Sequence, residues 1–294
     1  MKHIALLLVL LLLCIPLSGC MVQTESADIA ATTLPVYQFT DMLCQGTGLT
    51  VTRLVNESVS CLHDYSLNVN QVKAVEAAEL VILNGAGMED FMADILEGKQ
   101  TVDASQSIPL LESCHSHDHE EQDDHDHGHE ADSHIWLSPA NAMVMANNIC
   151  AGLQEAYPQY ANIFINNLVQ LLHELQQLLD YGNTQLSQLS TREMITFHDG
   201  FAYFADCFDL HILAAVEEES GSEASAKELI ALIEIVEHHN LQVIFTEENG
   251  AFSAAKTISA ETGAHMYTLN MAMAGDDYFA AMYHNIQTIK EAMG

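Results

Sequence analysis

Basic residues are scarce in this sequence: 8 Lys and Arg stand against 41 Asp and Glu among 294 residues, a formal net charge of -33 with histidine neutral. Binding to nucleic-acid phosphates requires clustered Lys and Arg, so this class of function is excluded. With 49% hydrophobic residues, the chain can bury a substantial core and is long enough for two domains. The acid excess favours a cation as the ligand, and 16 histidines supply donors that a merely acidic surface lacks.

Several motifs of metal-dependent and hydrolytic proteins are also missing. The sequence has no Cys-x-x-Cys pair for a zinc knuckle, no His-Glu-x-x-His, no Gly-x-Ser-x-Gly and no Walker A loop. The run from His115 to His119 resembles the metallo-β-lactamase motif only superficially, because it lacks the residue between the second histidine and the aspartate. We therefore expect that the protein is not an enzyme.

Only the amino terminus carries a long apolar run, from Ile4 to Ile15, which is too short for a membrane span but suits a secretory signal. It ends at Leu17-Ser18-Gly19-Cys20, which resembles a bacterial lipobox. Residues 1–19 are predicted to be a lipoprotein signal peptide and residues 20–27 a tether, with the lipid on Cys20. The alternative is an ordinary signal peptide with a chance cysteine. Either way, the body of the protein is expected outside the cytoplasmic membrane.

Five further cysteines follow: Cys44, Cys61, Cys114, Cys150 and Cys207. An exported location permits disulfides but does not specify their pairing. Cys150 and Cys207 have apolar neighbours, which predicts buried thiols. Cys114 adjoins a histidine-rich segment and is a candidate soft ligand.

From residue 28 onward, short apolar runs alternate with amphipathic stretches, which is typical of βα units and a parallel sheet. The pattern predicts one α/β lobe over residues 28–137 and another over residues 186–294. Between them, Ser138-Pro139 and Pro158 each begin a long helix. The sequence thus predicts two doubly wound parallel-sheet lobes, joined by linking helices over residues 138–185.

Residues 114–131, called the histidine tract below, interrupt the first lobe. Six histidines alternate there with acidic residues: His115, His117, His119, His125, His127 and His129. This composition cannot form a packed core. We predict a flexible loop that captures metal loosely, with sensing of metal or plain solvation as the alternatives.

Three other histidines lie where open parallel sheets bind ligands, after a strand or at a lobe junction. His63 lies in a loop after the second predicted strand, His134 lies at the lobe junction, and His198 follows the strand Met194–Phe197. Their equivalent placement predicts a shared metal site. Three neutral imidazoles suit Zn²⁺, whereas a hard ion such as manganese would want more carboxylate.

Five segments carry a resemblance that covers essentially the whole chain: His63 to Tyr65, Asp132 to Pro139, Phe197 to Phe204, Gly221 to Ser225 and Val243 to Glu248. The sequence resembles the zinc-binding lipoproteins of metal ABC importers, in the family of zinc-uptake and manganese-uptake solute-binding receptors. The histidine tract is similar to the insertion of the zinc branch of that family.

The resemblance implies a long rigid helix between the lobes and one Zn²⁺ ion in the interlobe cleft. His63, His134 and His198 carry over as ligands by position. Many relatives have an acid as the fourth ligand, where this chain has Asn270. Water or a mobile acid is expected to complete the site, and the candidate residues are Glu248, Asn270, Asp276 and residues of the tract. Asp199 is a candidate for orienting a histidine.

The resemblance also implies a function, that of an extracytoplasmic receptor that captures Zn²⁺ with high affinity. It would deliver the ion to an ABC permease that a cytoplasmic ATPase drives, and we expect it to act as a monomer. Two alternatives stay open. One is a surface zinc-dependent hydrolase, since three histidines with an open position also activate water. The other is a metal-buffering adhesin lipoprotein.

Overall fold

The computed structural model describes residues 27–57, 62, 65–112, 131–216, 224–248, 250, 252–273 and 275–294. Cys20, His63 and the six tract histidines lie outside the described residues, so their assigned roles stay predictions. The same holds for Cys61 and Cys114. Within the described ranges, no helix is long and apolar enough to cross a membrane.

Two four-stranded parallel sheets form the two lobes, with the strand orders β2-β1-β3-β4 and β6-β5-β7-β8. The first sheet consists of β1 (Ile29–Ala31), β2 (Val51–Arg53), β3 (Leu80–Leu83) and β4 (Thr101–Asp103). The second consists of β5 (Glu193–Thr196), β6 (His211–Ala215), β7 (Val243–Glu247) and β8 (His265–Leu269). The two orders are equivalent, and in each sheet the winding reverses beside the first strand. The predicted pair of doubly wound lobes is confirmed.

Helices connect the strands and the lobes. The first lobe contains α1 (Leu34–Cys44), α2 (Val69–Ala77) and α3 (Ala93–Leu96). The linking helices are α4 (Pro139–Ala156) and α5 (Ala161–Gln185). The second lobe contains α6 (Ala202–Cys207), α7 (Ala226–His238), α8 (Ser253–Thr262) and α9 (Tyr278–Met293).

The helix starts follow the capping residues of the sequence. Asn68 forms a capping box with Gln71, and Ser225 forms another with Glu228. The helix α3 is preceded by a 3₁₀ turn, Asp90–Met92. Here the side chain of Glu89 faces inward, where its carboxylate accepts hydrogen bonds from Thr32 Oγ1 and from the backbone N–H groups of residues 84 and 85.

The helix α5 is the rigid link between the lobes. Its buried stripe, which consists of Phe164, Leu171, Leu175 and Leu178, has the spacing of one helix face. Near its start, Asn167 Nδ2 donates to the backbone oxygens of Leu43 and Gln45 at 2.8 and 2.9 Å, at the end of α1. Near its end, Gly182 packs closely against Phe208 of the second lobe. The helix is thereby attached to both lobes.

The described cysteines, Cys44, Cys150 and Cys207, are free thiols. The prediction of a buried Cys150 is confirmed, whereas Cys207 is only partly buried. Cys207 is the last residue of the short helix α6, so its side chain lies near the edge of the packed region. Burial raises the pKa of all three thiols, and that of Cys44 to about 12.

Candidate metal centre

His134 lies at the junction between the first lobe and α4, directly before a 3₁₀ turn, Ile135–Leu137. Its ring is almost completely buried, and the side chain of Asp132 contacts both the backbone and the ring of His134. One carboxylate oxygen, Oδ1, accepts from the backbone N–H of His134 and lies 2.8 Å from its ring Nδ1. A proton on Nδ1 satisfies this carboxylate and leaves the lone pair of Nε2 for a metal ion.

The electrostatic environment of His134 favours positive charge. Burial alone would lower its pKa, but the hydrogen bond to Asp132 and the charges of Asp132, Asp199 and Glu247 outweigh this effect. The net result is a pKa raised above its ordinary value. The same three carboxylates would stabilise a bound cation.

His198 follows β5 at the carboxyl end of the second sheet, and it is also buried. Its Nε2 lies 3.3 Å from Nε2 of His134, and the two rings are nearly perpendicular at 88°. Bonds of 2.0–2.1 Å to a tetrahedral Zn²⁺ ion place neighbouring nitrogen ligands about 3.4 Å apart. The two imidazoles therefore have the spacing that one shared zinc ion requires.

Two buried carboxylates adjoin this pair. Asp199 Oδ1 lies 4.0 Å from His198 Nε2, and ligand atoms of His134, His198 and Asp199 all lie within 4.8 Å of one another. Glu247 Oε2 lies 3.9 Å from the other ring nitrogen of His198, Nδ1. Glu247 was not among the predicted site residues. Its position could have been inferred, since it ends β7, the strand beside β5.

The three predicted candidates for the fourth ligand, Glu248, Asn270 and Asp276, stay predictions. Glu248 is exposed, and its Oε2 accepts from Asn270 Nδ2 at 2.6 Å. Asn270 Oδ1 accepts from the backbone N–H of Ala272 at 2.7 Å, so both ends of this amide are engaged. Asp276 is exposed. Among the described residues, Asp199 is the carboxylate that groups with the two histidines.

A glycine makes room for the ring of His134. A methyl group on Gly200 would lie 2.8 Å from His134 Cγ and 2.5 Å from the terminal methyl of Met271. We expect Gly200→Ala to displace the ring and to weaken zinc binding roughly tenfold, as displaced ligands do. The dissociation constant is measured by competition with a chromophoric chelator.

The control for this prediction is Gly182→Ala, whose methyl would lie 2.3 Å from the ring of Phe208 in the core. It should lower the melting temperature through overpacking and leave zinc affinity unchanged. Equal zinc affinity of the Gly200→Ala variant and the parent protein would show that the close approach to His134 does not matter.

Two parallel-sheet lobes with a buried set of donors at their junction define a two-lobed solute-binding protein. Residues 29–292 match the family described as "ZnuA: Zinc-uptake complex component A periplasmic". The chain belongs to this family, and the resemblance inferred from its sequence segments is confirmed. The family consists of solute-binding receptors rather than enzymes.

The relatives agree with this assignment. The chain is 30% identical over 308 residues to the zinc-binding lipoprotein AdcA of Streptococcus pneumoniae. This alignment covers 99% of the chain but only 61% of AdcA. It is similar in structure to ZnuA, with a TM-score of 0.77, 28% identity and coverage of 91% of this chain and 100% of ZnuA. The Zn(II)-bound ZnuA-like domain of S. pneumoniae AdcA has a TM-score of 0.75 and 26% identity over 91% of this chain and 99% of the domain.

Proposed function

We propose that this protein is the extracytoplasmic zinc receptor of an ABC-type importer. It captures Zn²⁺ between its lobes and delivers the ion to a membrane permease that a cytoplasmic ATPase drives. The observation that carries this proposal is the buried pair of imidazole nitrogens, 3.3 Å apart, contributed by His134 and His198 from two different lobes. Membership in a family of zinc-uptake components supports the same function.

In this proposal, His134 and His198 bind the ion through Nε2, and Asp199 supplies the carboxylate. His63 is the third imidazole. A cavity of about 390 Å³ supports its inclusion, because Leu62, its neighbour in the chain, and Ser133, the neighbour of His134, both line that cavity. Leu62 and Ser133 therefore border the same space. Three nitrogens and one carboxylate oxygen form a donor set that suits zinc.

Capture and release follow from the placement of the ligands on separate lobes. Asp132 holds His134 on the first lobe, and β5 carries His198 on the second. A small separation of the lobes breaks the donor set, since zinc ligands tolerate distance changes of only about 0.2 Å. We propose that the permease causes this separation when the receptor docks, so that the ion leaves toward the membrane.

The remaining parts of the proposal concern the segments outside the described residues. The signal peptide is removed, and a lipid on Cys20 anchors a monomeric receptor to the membrane. The six tract histidines capture zinc loosely and serve the cleft without forming the tight site. The tract has a composition that cannot form a packed core, which supports loose capture and not a tight buried site.

Calorimetric titration with Zn²⁺ tests the proposal, on the chain from Met21 and on a variant that lacks residues 114–130. We expect one tight site to persist in the shortened variant while weaker sites are lost. Tight binding that disappears with the tract would contradict the cleft assignment and would favour a metal buffer.

The transport role has its own test, which is deletion of this protein in its source organism. The deletion strain should require more zinc for growth in chelated medium, and added zinc should restore growth. Chelator-sensitive hydrolysis of an ester or amide would instead support the hydrolase alternative. Binding to a host matrix protein that survives alanine substitution of the cleft histidines would separate adhesion from metal capture.

A further inference from the structure

The two ends of the histidine tract meet in a short antiparallel stem, formed by residues 111–112 and 131–132. Glu112 and Ala131 form an antiparallel bridge, and the backbone N–H of Asp132 donates to the backbone oxygen of Leu111 at 2.9 Å. The stem belongs to the first lobe. Its last residue, Asp132, is also the residue whose side chain holds the ring of His134.

A single hydroxyl from the second lobe joins both strands of this stem. Tyr203 lies on α6 and is only 3% exposed. Its hydroxyl accepts from the backbone N–H of Leu111 at 2.9 Å and donates to the backbone oxygen of Asp132 at 3.0 Å. Burial raises the pKa of Tyr203, so the hydroxyl keeps the proton that it donates.

Tyr203 is thereby connected to both histidines of the site. It follows His198 closely in the chain, since only a 3₁₀ turn and the start of α6 separate the two residues. It also contacts Asp132, the residue that holds His134. One path from one histidine to the other therefore consists of His198, Tyr203, Asp132 and His134.

We propose that Tyr203 is a positioning residue that sets the separation of His134 and His198 by joining the two lobes at the stem. This inference rests on the proposed function, since it assigns a role in zinc binding at the same cleft. Without the hydroxyl, the partly buried N–H of Leu111 and the buried carbonyl of Asp132 lose this partner, which weakens the link between the lobes. Asp132 and the ring of His134 then shift relative to His198, and the ion is released faster.

The test compares Tyr203→Phe with a matched control, Tyr157→Phe. Tyr157 is also buried, and its hydroxyl lies 3.4 Å from the backbone oxygen of Asp28 and 3.5 Å from a carboxylate oxygen of Glu79, at the amino end of the first sheet. Both variants are made in the chain that lacks residues 114–130, which keeps the stem residue Ala131. Zinc affinity is measured by chelator competition, the release rate by stopped flow, and folding by the melting temperature of the zinc-free protein.

We expect Tyr203→Phe to weaken zinc binding roughly tenfold, mainly through faster release, because residues that orient ligands have effects of this size. It should also change the visible absorption bands of bound Co²⁺, which report ligand geometry. The Tyr157→Phe variant should lower the melting temperature by a similar amount and leave affinity, release rate and spectrum unchanged.

A double-mutant cycle with Asp132→Asn shows whether Tyr203 acts through Asp132. If it does, the double variant should lose less affinity than the product of the two single losses. The inference would be overturned if Tyr203→Phe had the zinc affinity and the Co²⁺ spectrum of the parent protein. It would also be overturned if the affinity losses of the two single variants simply multiplied in the double variant. Failure of the parent protein itself to bind zinc tightly would instead overturn the proposed function.

Discussion

Replacing both His134 and His198 with alanine is expected to lower zinc affinity by roughly a thousandfold or more, because most of a zinc site's binding free energy comes from its direct ligands. The two ring nitrogens lie 3.3 Å apart, and neither ring can be replaced by a neighbouring imidazole among the described residues. Both lobes should stay folded, since their cores consist of apolar side chains. Competition with a chromophoric chelator gives the affinity of the variant that also lacks residues 114–130.

The melting temperature with and without zinc is a second measurement of the same loss of binding. A ligand that binds only the folded state raises the melting temperature, and more so the tighter it binds, so saturating zinc should stabilise the parent protein and not the double variant. The matched control replaces His211 and His265, two exposed histidines at the amino ends of β6 and β8. Parent-like zinc affinity in the His134→Ala, His198→Ala protein would place the tight site elsewhere.

Asp132→Asn is expected to reduce zinc affinity by roughly 10- to 100-fold, the range typical of residues that orient metal-bound histidines. The carboxylate accepts two hydrogen bonds from His134, through Oδ1, and its charge makes the imidazole a stronger donor to a cation. The second oxygen, Oδ2, is buried without a hydrogen-bond partner among the described residues. An asparagine would either place an unsatisfied N–H₂ group there or turn it toward the ring, and both outcomes are unfavourable.

The control is Asp94→Asn, which removes one carboxylate from an exposed position of the first lobe. It changes the net charge by the same amount and should leave affinity unaltered. Equal losses of zinc affinity in the Asp132→Asn and Asp94→Asn variants would mean that affinity depends on the overall charge, and not on the contact between Asp132 and His134.

The secondary structure was predictable because its signals are local. The run Ser138-Pro139 placed the start of α4 correctly, and the apolar run Val243–Glu247 is β7 in the structure. Asn68 and Ser225 cap α2 and α7 through contacts with residues three positions along the chain, which are also local. The 3₁₀ turn at Asp90–Met92 was not predicted, because it depends on Glu89 bonding to the neighbouring loop.

The site was predictable only in part. The segments around His134 and His198 singled out both residues, but the choice between Glu247 and Glu248 could not be made from the sequence. These neighbours differ by one position at the end of β7, and a shift of one residue in a strand moves a side chain to the other face. In the structure, Glu247 faces His198 while Glu248 is exposed and bonded to Asn270.

By itself, the sequence determined the class of ligand, the two-lobed architecture and the family, because donor types, strand and helix periodicity and family segments are all properties of local runs of residues. Only the tertiary structure decided which atoms meet. It brings together Nε2 atoms that lie 64 residues apart in the chain, positions Asp132 behind one of them, and places Tyr203 across the lobes. Metal coordination depends on distances of a few ångströms between remote segments, and those distances are set by packing of the whole fold.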